Sequence, residues 1–211
     1  MKLFMLNNTE TAKLPFETAE RIMPERAKRA GRFLNQRDRL TCIGAGLLLH
    51  HFLTPNESDI CYTSNGKPYL KNEMYFSISH SGDTAVLAFG KQEIGIDIEE
   101  MGSVPTEIIP HVFNDSEIKW LETHPEDFYM FWCVKESILK AEGTGFLSDP
   151  REVKMSNFSH CGSAAFRDKY WYYCSIKYNR FAVAAASKIP INGISVKELT
   201  IEEVILNNFL K

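Results

Sequence analysis

The chain has 211 residues, 44% of them apolar and 24% charged, with a net charge of -3, so it has material for a substantial core and is neither disordered nor a disulfide-stapled miniature. Twenty-four Lys and Arg against twenty-seven Asp and Glu exclude a general nucleic-acid binder and a wholly basic membrane-surface protein. One large domain or two small ones fit this length.

The opening residues hold too short an apolar run for a signal peptide, and the best membrane candidate, residues 40–56, carries His50, His51 and Pro55; neither secretion nor membrane spanning is expected. Residues 17–33 are charged and rich in helix formers, with Pro24 suited to the first turn of a new helix. Seven basic residues lie between Arg21 and Arg39 against Glu25 and Asp38 alone, which makes a basic arm on an acidic chain and points to one polyanion contact. Residues 40–52 follow as an apolar helix with Leu40, Ile43, Leu47 and Leu48 on its core face. Asn65, Gly66 and Pro68 mark a turn.

The next segments, 75–79, 85–89 and 94–98, are short β-branched or aromatic runs between turns, as expected of adjacent strands in a meander. Short helices are expected over 106–113 and 115–122, with Asn114 as N-cap of the second, and a longer one over 125–142 ending at Gly143. Residues 171–178 and 181–187 predict a hairpin around Asn179 and Arg180, and 201–205 a last strand. Helices then strands, twice over, predict an α+β protein built as a pseudo-duplicate, with halves at 1–102 and 103–211. The five cysteines are odd in number and scattered, without metal-ligand spacing; free thiols and a cytoplasmic chain are the simplest reading.

Three segments carry chemistry. In Gly95-Ile96-Asp97-Ile98-Glu99, strand alternation sends both acids to one face and both isoleucines to the other. Two carboxylates side by side favour a cation between them, and hard oxygen ligands favour Mg²⁺; two solvent-exposed acids at a strand end are the competing reading. In Trp132-Cys133-Val134-Lys135-Glu136-Ser137-Ile138-Leu139-Lys140, helical spacing puts Trp132, Glu136 and Lys140 on one ridge, where a metal ligand and a phosphate clamp, or an ordinary Glu–Lys surface pair, would fit. In Phe76-Ser77-Ile78-Ser79-His80-Ser81-Gly82, a strand runs into a hydroxyl-rich turn, and His80 suits a phosphate contact or a base as well as a structural turn histidine.

Taken with Gly66-Lys67-Pro68, these motifs stand in an order and at separations that closely resemble the signature of the 4′-phosphopantetheinyl transferases, in the longer two-halved class typified by the surfactin-synthetase activating enzyme. The resemblance implies a pseudo-dimer of two helix-plus-antiparallel-sheet halves with the site in the cleft between them. It implies transfer of the phosphopantetheine arm of coenzyme A to a serine of an apo acyl, peptidyl or aryl carrier protein, with release of 3′,5′-ADP. By similarity, Asp97, Glu99 and Glu136 would bind Mg²⁺. Lys140 and Lys135 would neutralise phosphate oxygens, and Lys67, Ser79 and His80 would line the nucleotide pocket. Arg26 and Arg29 match two lysines that reach the 3′-phosphate in the family, and arginine keeps that capacity in bidentate form; Arg39 is a further phosphate contact on the same alignment. Glu117 falls where the family places a general base, although a first-turn acid stabilised by the helix dipole reads equally well. The implied protein is a cytoplasmic monomer acting on an acidic carrier protein. Two other classes stay open: a Mg²⁺-dependent phosphohydrolase acting on coenzyme A or a nucleotide, and a non-catalytic module that binds a carrier protein or coenzyme A.

Overall fold

In a computed structural model, which describes residues 1–53, 56–71 and 74–209, the chain opens on a strand, β1 (Lys2–Asn7), whose Leu3, Phe4, Met5 and Leu6 are buried. Four helices follow: α1 (Asn8–Thr11), α2 (Phe16–Ile22), α3 (Pro24–Ala30) and α4 (Gln36–Phe52). Pro24 starts α3 as expected, where its missing N–H costs nothing. The Asn35 side chain caps α4 by accepting from the Arg37 N–H at 2.8 Å. Two short strands, β2 (Ile60–Tyr62) and β3 (Pro68–Leu70), pair around the Asn65-Gly66 turn. Then come β4 (Tyr75–Ser81), β5 (Thr84–Gly90) and β6 (Ile94–Glu100).

The second part holds α5 (Ile109–Val112), α6 (Asp115–Leu121) and α7 (Phe128–Glu142), which ends at Gly143 in the left-handed conformation. It continues with β7 (Lys154–Met155), β8 (Cys161–Phe166), β9 (Lys169–Tyr178), β10 (Phe181–Ser187), β11 (Ser195–Glu198) and α8 (Ile201–Phe209). The expected hairpin is present as β9–β10, with Asn179 at positive φ in its turn.

Besides the β2–β3 pair, two larger sheets form among the described residues, in the orders β11-β1-β5-β4 and β6-β10-β9-β8-β7. An apolar cluster that includes Leu3, Val86, Ile96, Ile98, Val183 and Ala185 joins the two sheets face to face. Helix α4 covers the outer face of the first through Leu47, Leu48, Leu87 and Phe76. Helix α7 covers the outer face of the second through Val134, Ile138, Ala182 and Ala184. The protein is thus α+β, with sheets in the middle and helices outside. Among the described residues no helix is long and apolar enough to cross a membrane.

Three sequence expectations are corrected. Strands 75–79, 85–89 and 94–98 are not one meander: β4 pairs with β5, but β6 leaves them and pairs antiparallel with β10 of the other sheet. Its three isoleucines are buried at the junction of the sheets, a position open to either partner on pattern alone. Residues 201–205 form helix α8 and not a strand. Thr200 and Glu203 make a reciprocal capping box, Glu203 N–H to Thr200 Oγ1 at 3.3 Å and Thr200 N–H to Glu203 Oε2 at 3.0 Å, and Ile201 and Val204 then face α4 at helical spacing. The cysteines are not all free: Cys161 and Cys174 stand opposite each other on β8 and β9 and form a disulfide.

Candidate active site

The site begins where β6 runs along α7. Because Ile96 and Ile98 enter the core between the sheets, Gly95, Asp97 and Glu99 turn to the opposite face, against the helix. From α7, Glu136 and Lys140, one turn apart, meet them. Lys140 Nζ donates to Asp97 Oδ1 at 2.5 Å and to Ser79 Oγ on β4 at 2.8 Å. Ser79 Oγ in turn donates to the same Asp97 oxygen at 2.8 Å. The structure therefore gathers Asp97, Glu99, Glu136, Lys140 and Ser79 from three elements and both sheets.

Electrostatics mark the cluster. Burial raises the Glu136 carboxyl to about 7, with Asp97 and Glu99 adding to the rise and Lys140 opposing it. Burial and then Asp97 raise Glu99 as well. Burial pulls the Lys140 ammonium down, but Asp97 and, after it, Glu136 push it up and leave it raised. The indole N–H of Trp132 favours the ionised form of Glu99 yet falls outside hydrogen-bond geometry.

Among the described residues no three His, Cys, Asp or Glu side chains converge closely enough to hold one ion. The donor set nevertheless fits a hard cation. Asp97 Oδ2 is buried without a hydrogen-bond partner, and the Asp97 charge adds to the raised proton affinity of both Glu99 and Glu136 beside it.

Beside the cluster opens a cavity of about 750 Å³, reached through Lys140 and lined by Arg26, Arg29, Lys67 and His80. These come from α3, the β2–β3 hairpin and β4. Glu57 anchors the first turn of α3 by accepting from the Glu25 and Arg26 N–H groups, both at 2.8 Å. Lys67 Nζ donates to the Ala141 carbonyl near the end of α7, which ties the hairpin to that helix; burial lowers its pKa. Burial, then Lys140, lowers that of His80. The cavity thus presents four cationic or hydrogen-bonding groups to an anion.

Three expected site residues lie elsewhere. Lys135 and Glu117 are fully buried and bond each other at 2.8 Å in the core beneath α7. Lys135 Nζ also donates to the Pro150 and Val153 carbonyls at 3.0 and 2.9 Å, and Glu117 closes a capping box with Asn114. Adjacent residues on a helix diverge by about 100°, so Lys135 turns into the core when Glu136 faces β6. Arg39 does not line the cavity and donates to the Phe33 carbonyl at 3.1 Å. Conversely, Ser81 went unnoticed in the sequence as a partner of Glu99 (Oγ to Oε2, 2.8 Å); its alternation with Ser77 and Ser79 along one strand face was the available signal.

A profile described as the 4'-phosphopantetheinyl transferase superfamily matches residues 93–186. The chain is 30% identical over 136 residues to the 4'-phosphopantetheinyl transferase gsp of Aneurinibacillus migulanus, covering 59% of this chain and 57% of that one. It is 32% identical over 137 residues to the 4'-phosphopantetheinyl transferase Sfp of Bacillus subtilis (strain 168), covering 59% and 61%. It is 32% identical over 152 residues to the L-aminoadipate-semialdehyde dehydrogenase-phosphopantetheinyl transferase of Mus musculus, covering 59% and 49%. The chain spans less than two thirds of the length of each of these relatives. The matched residues 93–186 include β6 and α7, which build the acidic cluster, so this part of the chain is similar to the 4'-phosphopantetheinyl transferase superfamily.

Proposed function

We propose that this protein transfers the 4′-phosphopantetheine group of coenzyme A to a serine of an apo acyl, peptidyl or aryl carrier protein. One observation carries the reading: the acids of β6 and the Glu136–Lys140 ridge of α7 meet beside a cavity lined by Arg26, Arg29, Lys67 and His80. That arrangement suits a pyrophosphate ester held at both ends. The serine oxygen bonds to the β-phosphorus as the bond to the 3′,5′-ADP oxygen breaks, the electron pair leaves with 3′,5′-ADP, and the hydroxyl proton is released.

Arg26, Arg29, Lys67 and His80 would hold the nucleotide phosphates, and Ser79 would fix Lys140. Asp97, Glu99 and Glu136 would hold Mg²⁺, which supplies charge neutralisation at the pyrophosphate when bound. Lys140, which lines the cavity, would turn its ammonium to the phosphate oxygens, where a cation stabilises the charge that develops. Glu117 and Lys135 are assigned to support: their buried pair holds the helix that carries Glu136.

Residues 1–102 and 103–211 are proposed as the two halves of a pseudo-dimer, with the site in the cleft between them. Each half lends an element to the other, β6 to the second sheet and β11, parallel to β1, to the first. The enzyme is proposed to act as a monomer on an acidic carrier protein; Lys28 and Arg32, exposed beside the arginines of the arm, support the last point. Release of 3′,5′-ADP from coenzyme A that requires an apo carrier protein is the expected result. Equal release without any carrier would favour hydrolysis instead.

A further inference from the structure

Strands β4 and β6 are the facing edges of two different sheets and share no backbone ladder. A row of serines bridges them. Ser77, Ser79 and Ser81 alternate along β4, so their hydroxyls leave the same face. Ser77 Oγ accepts from the Ile96 N–H at 3.0 Å. Ser79 Oγ reaches Asp97. Ser81 does two things: it accepts from the Glu100 N–H at 2.9 Å and donates to Glu99 Oε2 at 2.8 Å.

From this we infer that Ser81 is a positioning residue, which locks the Glu99 carboxylate and the backbone just after it so that Glu99 faces Asp97 and α7. Resting on the cation reading above, the inference adds a residue of the other sheet to the support of the acidic cluster. A side-chain ladder suits this task because each hydroxyl can donate to a carboxylate and accept a backbone N–H at once. Without it, the end of β6 keeps its ladder to β10 and the Arg37–Glu100 ion pair, neither of which holds the Glu99 carboxylate. Glu99 would then be free to turn toward solvent, and a divalent ion would lose a preset ligand.

The test is a calorimetric titration with Mn²⁺ of the full chain, without coenzyme A, in wild type, Ser81→Ala and Ser81→Thr. Thermal melts of each variant allow binding to be read well below its Tm. Ser81→Ala should weaken Mn²⁺ binding about tenfold, which is about 1.4 kcal/mol, and Ser81→Thr, which keeps the hydroxyl, should restore most of it. Should Ser81→Ala fail to fold, Ser81→Cys keeps the volume with a weak donor and carries the same expectation. Wild-type affinity in Ser81→Ala, or an equal loss in Ser81→Thr, overturns the inference alone, even if the Tm falls. Absence of Mn²⁺ binding by the wild type overturns the cation reading and this inference with it.

Discussion

Gly95 on β6 lies with its backbone directly against that of Ser137 on α7: a β-carbon at Gly95 would overlap the Ser137 carbonyl oxygen and the Ala141 amide nitrogen. Neither atom belongs to a side chain that can rotate away. This close approach brings Asp97, two residues along the strand, to Lys140 and Glu136 on the helix. Gly95→Ala should therefore push strand and helix apart, costing about 1–3 kcal/mol as overpacking does. Its effect on transfer should exceed what the stability loss explains, because the acids and the lysine separate. Urea denaturation beside kcat at saturating coenzyme A measures both; wild-type values for each would show that the contact does not position the site.

Lys140 is the cation that now occupies Asp97. Lys140→Ala should lower kcat about 100-fold or more, in the range seen when one preorganised charge-stabilising group is removed, while the fold survives because the side chain is partly exposed. Steady-state kinetics with circular dichroism as a folding control checks this. A rise in KM alone would make Lys140 a binding group with no part in stabilising the transition state.

The Lys135–Glu117 pair predicts a different outcome. Both groups are fully buried, and burial lowers the lysine and raises the glutamate despite their mutual attraction. Breaking such a pair from one side leaves an uncompensated charge, so Lys135→Met should cost about 3–5 kcal/mol. Lys135→Met with Glu117→Leu should recover most of it. Denaturant melts of the single and double variants give the answer. A raised KM for coenzyme A with stability unchanged would return Lys135 to the nucleotide.

His80 supplies a pH prediction. Burial, with Lys140 adding to it, holds its folded pKa below the usual 6.5, so protonation is harder in the folded chain than in the unfolded one. Its contribution to stability is fully present above about 6.5 and falls away as the pH drops from there through the lower folded value. An NMR titration of the ring protons should place the midpoint below that of a free histidine. A midpoint above it would mean that an acid governs His80 in place of burial and Lys140.

Much of the site was legible because its residues lie in short local patterns. Alternation along β6 separates Ile96 and Ile98 from Asp97 and Glu99, and helical spacing aligns Glu136 with Lys140; neither depends on what the element packs against. The partner of β6 was not legible. A strand with three buried isoleucines and one acidic edge suits either sheet, and only the backbone pairing with Phe181 to Ser187 decides. The buried surroundings of Lys135 and Glu117 were not legible for a related reason: a motif fixes order along the chain but not which side of α7 faces the core. Strand β1 was hidden by its position at the very start, and α8 by apolar residues that match a strand until the Thr200–Glu203 box is recognised. The Cys161–Cys174 pair depends on the register of β8 and β9, which spacing alone does not give.

The most direct test of the account is mass spectrometry of a panel of apo carrier proteins incubated with this protein, coenzyme A and Mg²⁺. A mass gain of one phosphopantetheine on a carrier serine is predicted, lost when the metal is chelated and lost with Asp97→Ala that stays folded. No gain on any carrier, or a full gain with Asp97→Ala, would contradict it.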